Sequence, residues 1–205
     1  MMARIKLTKG ELKRQRDSLV QYMRYLPTLQ LKKQQLQMEI LRQQAILDEK
    51  RNLYAKRLNA AYSWAGLLAR PGVELSGLLK PKDVERSTRN IAGIEIPVFE
   101  KAEFGSADYD LFTVPLWVDA AVEELRQIIS LGTETGVLEE GINILRRALR
   151  VTAQRVNLFE KVKIPLAEDA IRSIKIYIGD QMTNAVGRSK IAKRKIEALE
   201  TAGVA

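Results

Sequence analysis

The chain has 205 residues, 46% apolar and 29% charged, which is enough for one substantial domain, or a small domain with an extended appendage, and argues against global disorder. It contains neither cysteine nor histidine, which removes disulfides, thiolate nucleophiles, Ser-His-Asp triads and ordinary zinc sites together. The formal charge of +9 is uneven: 14 Lys/Arg face 5 Asp/Glu in residues 1–60, 7 face 14 in 61–140, and 13 face 6 in 141–205. Two basic ends therefore flank an acidic middle, and the basic ends need an acidic partner, solvent or salt to screen them.

From Arg4 to Trp64 there is one proline and one glycine, and nearly every residue is a good helix former. Thr8 followed three residues later by Glu11 is a capping-box pattern that starts this arm. Counting by sevens from Leu12 gives Leu19, Leu26, Lys33, Ile40, Leu47, Tyr54 and Ala61, an apolar seam with one exception. The companion positions start as Tyr22, Leu29 and Leu36 and then move to Ile46, Leu53 and Ala60, which predicts a seam that drifts around the helix. Tyr22, Tyr25, Tyr54 and Tyr62 lie at or beside the seam and read as core. Inside a helix Pro27 removes one hydrogen bond and clashes with the preceding turn. Because the seven-residue spacing passes through it in phase, a kinked continuous arm is expected rather than two helices.

Residues 65–140 read as a central insert. Arg70-Pro71-Gly72, Leu79-Lys80-Pro81 and Gly93 punctuate it. Ile91 to Phe99 and Tyr109 to Trp117 are the two β-like runs, so a hairpin is expected over about 91–117, and a short helix over about 118–131. Gly132-Thr-Glu-Thr-Gly136 and Gly141 then predict a helix–helix connection. The second arm, 141–205, carries Ile142, Leu145, Leu149, Thr152, Val156, Phe159 and Val162 at three-four spacing, with Ile164-Pro165 as an interruption. Ile171, Ile174, Ile178, Met182 and Ala185 resume the stripe. The fold class expected is mainly α: a long antiparallel two-helix coiled coil from segments 1–64 and 141–205, with a small insert of short helices and a β-hairpin. Each arm would be a rod of roughly 90 Å at 1.5 Å per residue.

Gly72-Val-Glu-Leu-Ser-Gly77 is followed by Leu78 and Leu79, where a phosphate loop needs Lys and Ser/Thr. Glu123-Glu124 and Glu139-Glu140 point to different helix faces and read as solvated acidic surface. No catalytic, cofactor or metal residues are expected. The basic arms also fit a nucleic-acid-binding protein or a free-standing basic coiled-coil adaptor, but aromatic residues are few and no nucleic-acid signature appears. No stretch reaches the ~18–20 apolar residues of a membrane span, nor is there a signal-peptide core, so a cytoplasmic protein is expected.

Three stretches together resemble the D subunit of V-type (vacuolar and archaeal-type) rotary ATPases: Lys6-Leu7-Thr8-Lys9 with Leu12, Asn90 to Pro97, and Thr152-Ala-Gln-Arg-Val-Asn-Leu-Phe-Glu-Lys-Val-Lys-Ile-Pro165. In the last, Arg155, Val156, Asn157, Ile164 and Pro165 are the residues that match the family motif. The chain departs from the family at Leu29–Leu36 and at Gly179–Gly187. The resemblance implies a non-catalytic central rotor shaft whose paired arms enter the hexamer of A and B subunits. The insert would then lie towards the membrane, near the F subunit and the subunit that joins the shaft to the proteolipid ring. It further implies a protein peripheral to the membrane, coupling ATP hydrolysis or synthesis to ion (proton) transport. On that reading Lys6, Lys9, Lys13 and Arg14, beside Lys190, Lys193, Arg194 and Lys195, form a basic tip bearing on the stator.

Overall fold

The structure, a computed structural model, describes residues 6–69, 75–106 and 115–203. In chain order these form helix α1 (Lys9–Tyr62), a 3-10 turn (Ala65–Ala69), a one-turn helix α2 (Ser76–Leu79) and strands β1 (Pro81–Ile91) and β2 (Ile94–Phe104). Helix α3 (Trp117–Leu158), a π turn (Phe159–Lys163) and helix α4 (Ile164–Ala202) follow. The fold class is the expected one: long N- and C-terminal helical segments paired antiparallel, with a two-stranded hairpin and short helices between them in sequence.

The chain divides into two compact units, Met1–Leu31 with Ala153–Ala205 and Lys32–Thr152. In the second, α1 and α3 run antiparallel, since Lys50 pairs with Glu134 and Arg57 with Glu124. Its centre is a cluster of Leu36 and Ile40 from α1, Leu145 from α3 and Ile96 from β2, with Leu36 and Leu145 fully buried. Only one side chain of the hairpin, Ile96, reaches that depth among the described residues. The close approach uses Gly141, where an added Cβ would stand 3.7 Å from the Pro97 carbonyl oxygen and 3.8 Å from Ile96 Cβ.

Helix α1 begins as its sequence dictates. The Glu11 amide donates to Thr8 Oγ1 (3.2 Å), while the Glu11 carboxylate turns forward to accept from Gln15 (2.8 Å) instead of closing the capping box. The helix runs through Pro27 unbroken for 54 residues, as the unbroken heptad phase requires. The drift of the seam holds only at Ile46, which is half-buried. All eight positions from Leu12 to Ala61 are buried or half-buried, and so is the second set, Gln15, Tyr22, Leu29, Leu36, Gln43, Lys50 and Arg57. Leu53 and Ala60, expected in the seam, are exposed, as are Tyr25 and Tyr62. Polar side chains hold the seam positions that the drift reading gives to Leu53 and Ala60, because each finds a partner. Gln43 donates to Glu39 (2.8 Å), Lys50 contacts Glu134 (2.9 Å) and Arg57 contacts Glu124 (3.0 Å).

The hairpin lies earlier than expected. Its turn is Ala92-Gly93, at φ 52° and 76°, inside the run expected to form the first strand, so Ile91 pairs with Ile94 and Pro81 with Phe104. Two consecutive left-handed residues make the two-residue turn whose twist matches paired strands. The Gly93 amide donates to Asn90 Oδ1 (3.0 Å) and closes it. Glu100–Phe104, expected as loop, belongs to β2, and Trp117 opens α3 rather than closing a strand; 109–114 lie outside the described residues. Pro97 is tolerated because each strand of a two-stranded ribbon has a free edge.

Helix α3 also differs from expectation. It continues for 42 residues through Gly132, Gly136 and Gly141, so neither the short helix over 118–131 nor the helix–helix connection forms. Three glycines lower helix propensity, but packing of the apolar face through Val137, Ile142 and Leu145, all buried, outweighs that cost. The interruption expected at Ile164-Pro165 takes the form of the π turn that ends just before it. The Ile164 amide reaches back five residues to the Phe159 carbonyl, and α4 follows directly.

Candidate partner-contact surface

The net charge sorts by compact unit. Met1–Leu31 with Ala153–Ala205 holds 17 Lys/Arg against 8 Asp/Glu, whereas Lys32–Thr152 holds 17 against 17, so the whole +9 belongs to the first unit. The second unit neutralises itself through cross-element pairs: Lys50–Glu134, Arg51–Glu139 (2.8 Å), Arg57–Glu124 and Arg86–Glu140 (3.3 Å). The carboxylates expected as a merely solvated acidic surface are therefore, for Glu124, Glu139 and Glu140, partners of α1 and the hairpin. Period-seven counting from Gln15 finds Lys50 and Arg57 once polar residues are admitted to the seam.

In the first unit the ion pairs among described residues are local, Arg14–Glu11 (3.5 Å), Arg172–Asp169 (4.0 Å) and Lys193–Glu197 (3.6 Å). Such exposed i,i+3 and i,i+4 pairs do little to quench the field of the surplus cations. Lys6, Lys9, Lys13 and Arg14 are all exposed, and so are Lys190, Lys193, Arg194 and Lys195. The two groups do not make one tip. Tyr22 of α1 stacks edge-on against Phe159 (5.3 Å between centroids), which fixes the level of the two arms. From there Lys9 lies 13 residues, about 20 Å, along one arm, and Lys190 lies 31 residues, about 46 Å, along the other. Burial agrees: Ile171 and Ile174 are buried and Ile178 half-buried, but from Gly179 to Ala198 every side chain is exposed, with Gly187 half-buried. The second basic group thus rides on a single helix that outreaches α1.

The motif Thr152–Pro165 has a physical content that its sequence did not reveal. Thr152, the last residue of the second unit, is buried and donates to the Ala148 carbonyl (2.9 Å). Val156 is buried and Ile164 half-buried; Arg155 and Asn157, before the π turn, and Pro165, after it, are exposed.

Sequence reasoning also missed the apolar part of this surface. Val20, Met23, Tyr25, Ile176, Met182 and Ile191 are each at least half exposed on the first unit. Exposed large apolar side chains interleaved with cations make these stretches candidates for partner contact. The periodic reading concealed them: Tyr25 and Met182, expected beside or on an apolar stripe, are exposed instead, and Val20, Met23, Ile176 and Ile191 lie off it. Among the described residues no group of carboxylates could hold a metal ion, and no helix is long and apolar enough to cross a membrane.

The family model for the D subunit of ATP synthase matches residues 11–194 of the chain. The D subunit of the V-type ATP synthase of Borreliella burgdorferi is 44% identical over 95% of this chain and 96% of its own length. The proteins of the same name from Chlamydia pneumoniae and Chlamydia caviae are 32% and 33% identical, covering 99% and 96% of the chain and 98% and 96% of their own lengths. With matches that take in both helical arms and the hairpin between them, the chain belongs to the family of ATP synthase D subunits, among those of the V type.

Proposed function

We propose that this chain is the central rotor shaft of a V-type ATPase or ATP synthase, a subunit without catalytic residues. Its basic unit stands inside the hexamer of A and B subunits, and its neutral unit, with the hairpin, faces the F subunit and the subunit that joins the shaft to the proteolipid ring. Rotation of the shaft links nucleotide turnover in the hexamer to ion translocation, and the protein is peripheral to the membrane on the cytoplasmic side. The observation that carries this reading is the segregation of charge: the whole +9, with exposed Val20, Met23 and Met182, lies on one paired-helix unit, while the other unit is neutral. A shaft must be gripped along one part and must transmit torque through another, and stator contacts that combine long-range cationic guidance with apolar side chains do the gripping.

Lys6, Lys9, Lys13 and Arg14 form one bearing group and Lys190, Lys193, Arg194 and Lys195 a second, at two levels. Reconstitution with A, B and F subunits tests this. Neutralising all eight should weaken assembly or torque in a salt-dependent way, and neutralising one group should leave part of the effect. Unchanged coupling after replacing all eight would refute the bearing role. Failure of the chain to co-purify with A, B and F subunits, together with a salt-sensitive DNA gel shift, would overturn the shaft reading itself.

A further inference from the structure

We infer that the two arms carry a built-in flexure, a compliant zone about 15 Å long made by backbone defects on both helices around the Tyr22–Phe159 contact. On α1, Pro27 has no amide to give to the Met23 carbonyl, and its ring crowds that carbonyl. The next residue adds to the loosening, because Thr28 Oγ1 donates to the Tyr25 carbonyl (2.8 Å), and back-bonding of this type bends helices. On the opposite arm, Phe159–Lys163 forms a π turn in which the Ile164 amide bonds to the Phe159 carbonyl, and Pro165 beyond it again lacks a donor. Since the arms are antiparallel, Pro27 lies to one side of the aromatic contact and the π turn extends to the other.

Packing on the α1 side does not compensate for these defects, and on the opposite arm Val156 and Ala167 are buried on either side of the π turn but no side chain of Phe159–Lys163 itself is. The buried side chains of α1 are Leu36, Ile40, Gln43, Leu47 and Ala61, none of them in the first 27 residues of the helix. Around the defects the seam residues Leu19, Tyr22, Leu26 and Leu29 are only half-buried. Few buried contacts together with missing backbone bonds define the low-stability end of a structure. Tyr22 and Phe159, touching edge to face at an interplanar angle of 63°, remain as the pivot. Both prolines are exposed, so neither is there for its packing. This compliance belongs to the chain itself and stands whether or not the chain is a shaft.

The test uses the full chain, whose lack of cysteine allows spin labels at chosen sites. One pair, at Arg16 and Gln37, straddles Pro27 on α1; a control pair, at Gln37 and Asn59, spans a similar length of the same helix, and all three positions are exposed. The straddling pair should give a distance distribution about twice as broad as the control. Pro27→Ala combined with Pro165→Ala should narrow it to the control width. Equal widths in the native chain would overturn the flexure, and so would an unchanged width in the double variant. The same labels in Pro27→Ala alone separate the two arms' shares, and circular dichroism checks that each variant keeps its helix content.

Discussion

Gly136→Ala should stabilise the protein. Gly136 is exposed inside the continuous helix α3, it lacks a positive φ, and an added Cβ would meet nothing within 4 Å. The gain is then the helix-propensity difference, about 0.8–1.0 kcal/mol, which for a chain of this size raises Tm by roughly 2–4 °C. Gly141→Ala should gain more. Its Cβ would lie 3.7–4.0 Å from Pro97 and Ile96, ordinary contact distances, and a buried methyl adds up to about 0.8 kcal/mol to the propensity gain. Gly132→Ala should gain least, because its Cβ would come within 3.3 Å of Tyr54 Cε2 and the ring must give way. Urea and thermal unfolding followed by circular dichroism would rank the three variants. A neutral or destabilising Gly136→Ala would refute the reasoning, since it would mean that the chain bends between Leu131 and Ile142 instead of continuing as helix.

Leu145→Ala removes a fully buried side chain from the cluster with Leu36, Ile40 and Ile96 and should cost about 3–5 kcal/mol in urea unfolding. Combined with Leu36→Ala it should cost less than the two single changes together, because the two leave one shared cavity. Arg126 donates to the Leu78 carbonyl (3.1 and 3.0 Å) and the Gly105 carbonyl (2.7 Å) and lies over the Phe104 ring (5.3 Å), tying α3 to both ends of the hairpin segment. Arg126→Ala should cost about 1–3 kcal/mol and speed proteolysis within 78–106, with Arg126→Lys in between. The Lys101 ammonium donates to Glu103 (2.8 Å) and holds that carboxyl below its ordinary value, chiefly through the hydrogen bond and then through charge. Its folded pKa is depressed, so its small contribution to stability is present above the ordinary carboxylate value and fades as pH falls through the folded one. NMR titration should place Glu103 below a free glutamate, and Lys101→Ala should return it upward.

The apolar periodicity made most of the fold legible, and particular residues show where that signal ended. The count by sevens from Leu12 located every buried or half-buried position of its set, and its unbroken phase carried α1 through Pro27. It failed at Lys50 and Arg57, which satisfy the seam by charge pairing, an interaction that a single helix's sequence does not display. The hairpin was displaced because Ala92 adopts φ 52°, which an alanine rarely does, and because β1 from Pro81 to Ile91 is largely polar, exposed on most of its length. Local propensity at Gly132, Gly136 and Gly141 pointed to a break, and long-range burial on α3 overrode it. For the contact surface, the charge count located the cations but not their separation along the arms, which depends on the level at which Tyr22 meets Phe159.

The reach of α4 past α1 sets an order on assembly. From Gly179 to Ala198 this helix is supported by its own backbone and by local side-chain contacts such as Lys193–Glu197, and Gly179 and Gly187 each lower its propensity by about 1 kcal/mol relative to alanine. Its exposed side chains give it little tertiary support, so on the proposed reading a surrounding partner would stiffen it. On the proposed reading, an unassembled copy would expose this stretch of α4 to protease and an assembled one would hide it. Sensitivity of that stretch to protease becomes a record of whether the chain has found its place.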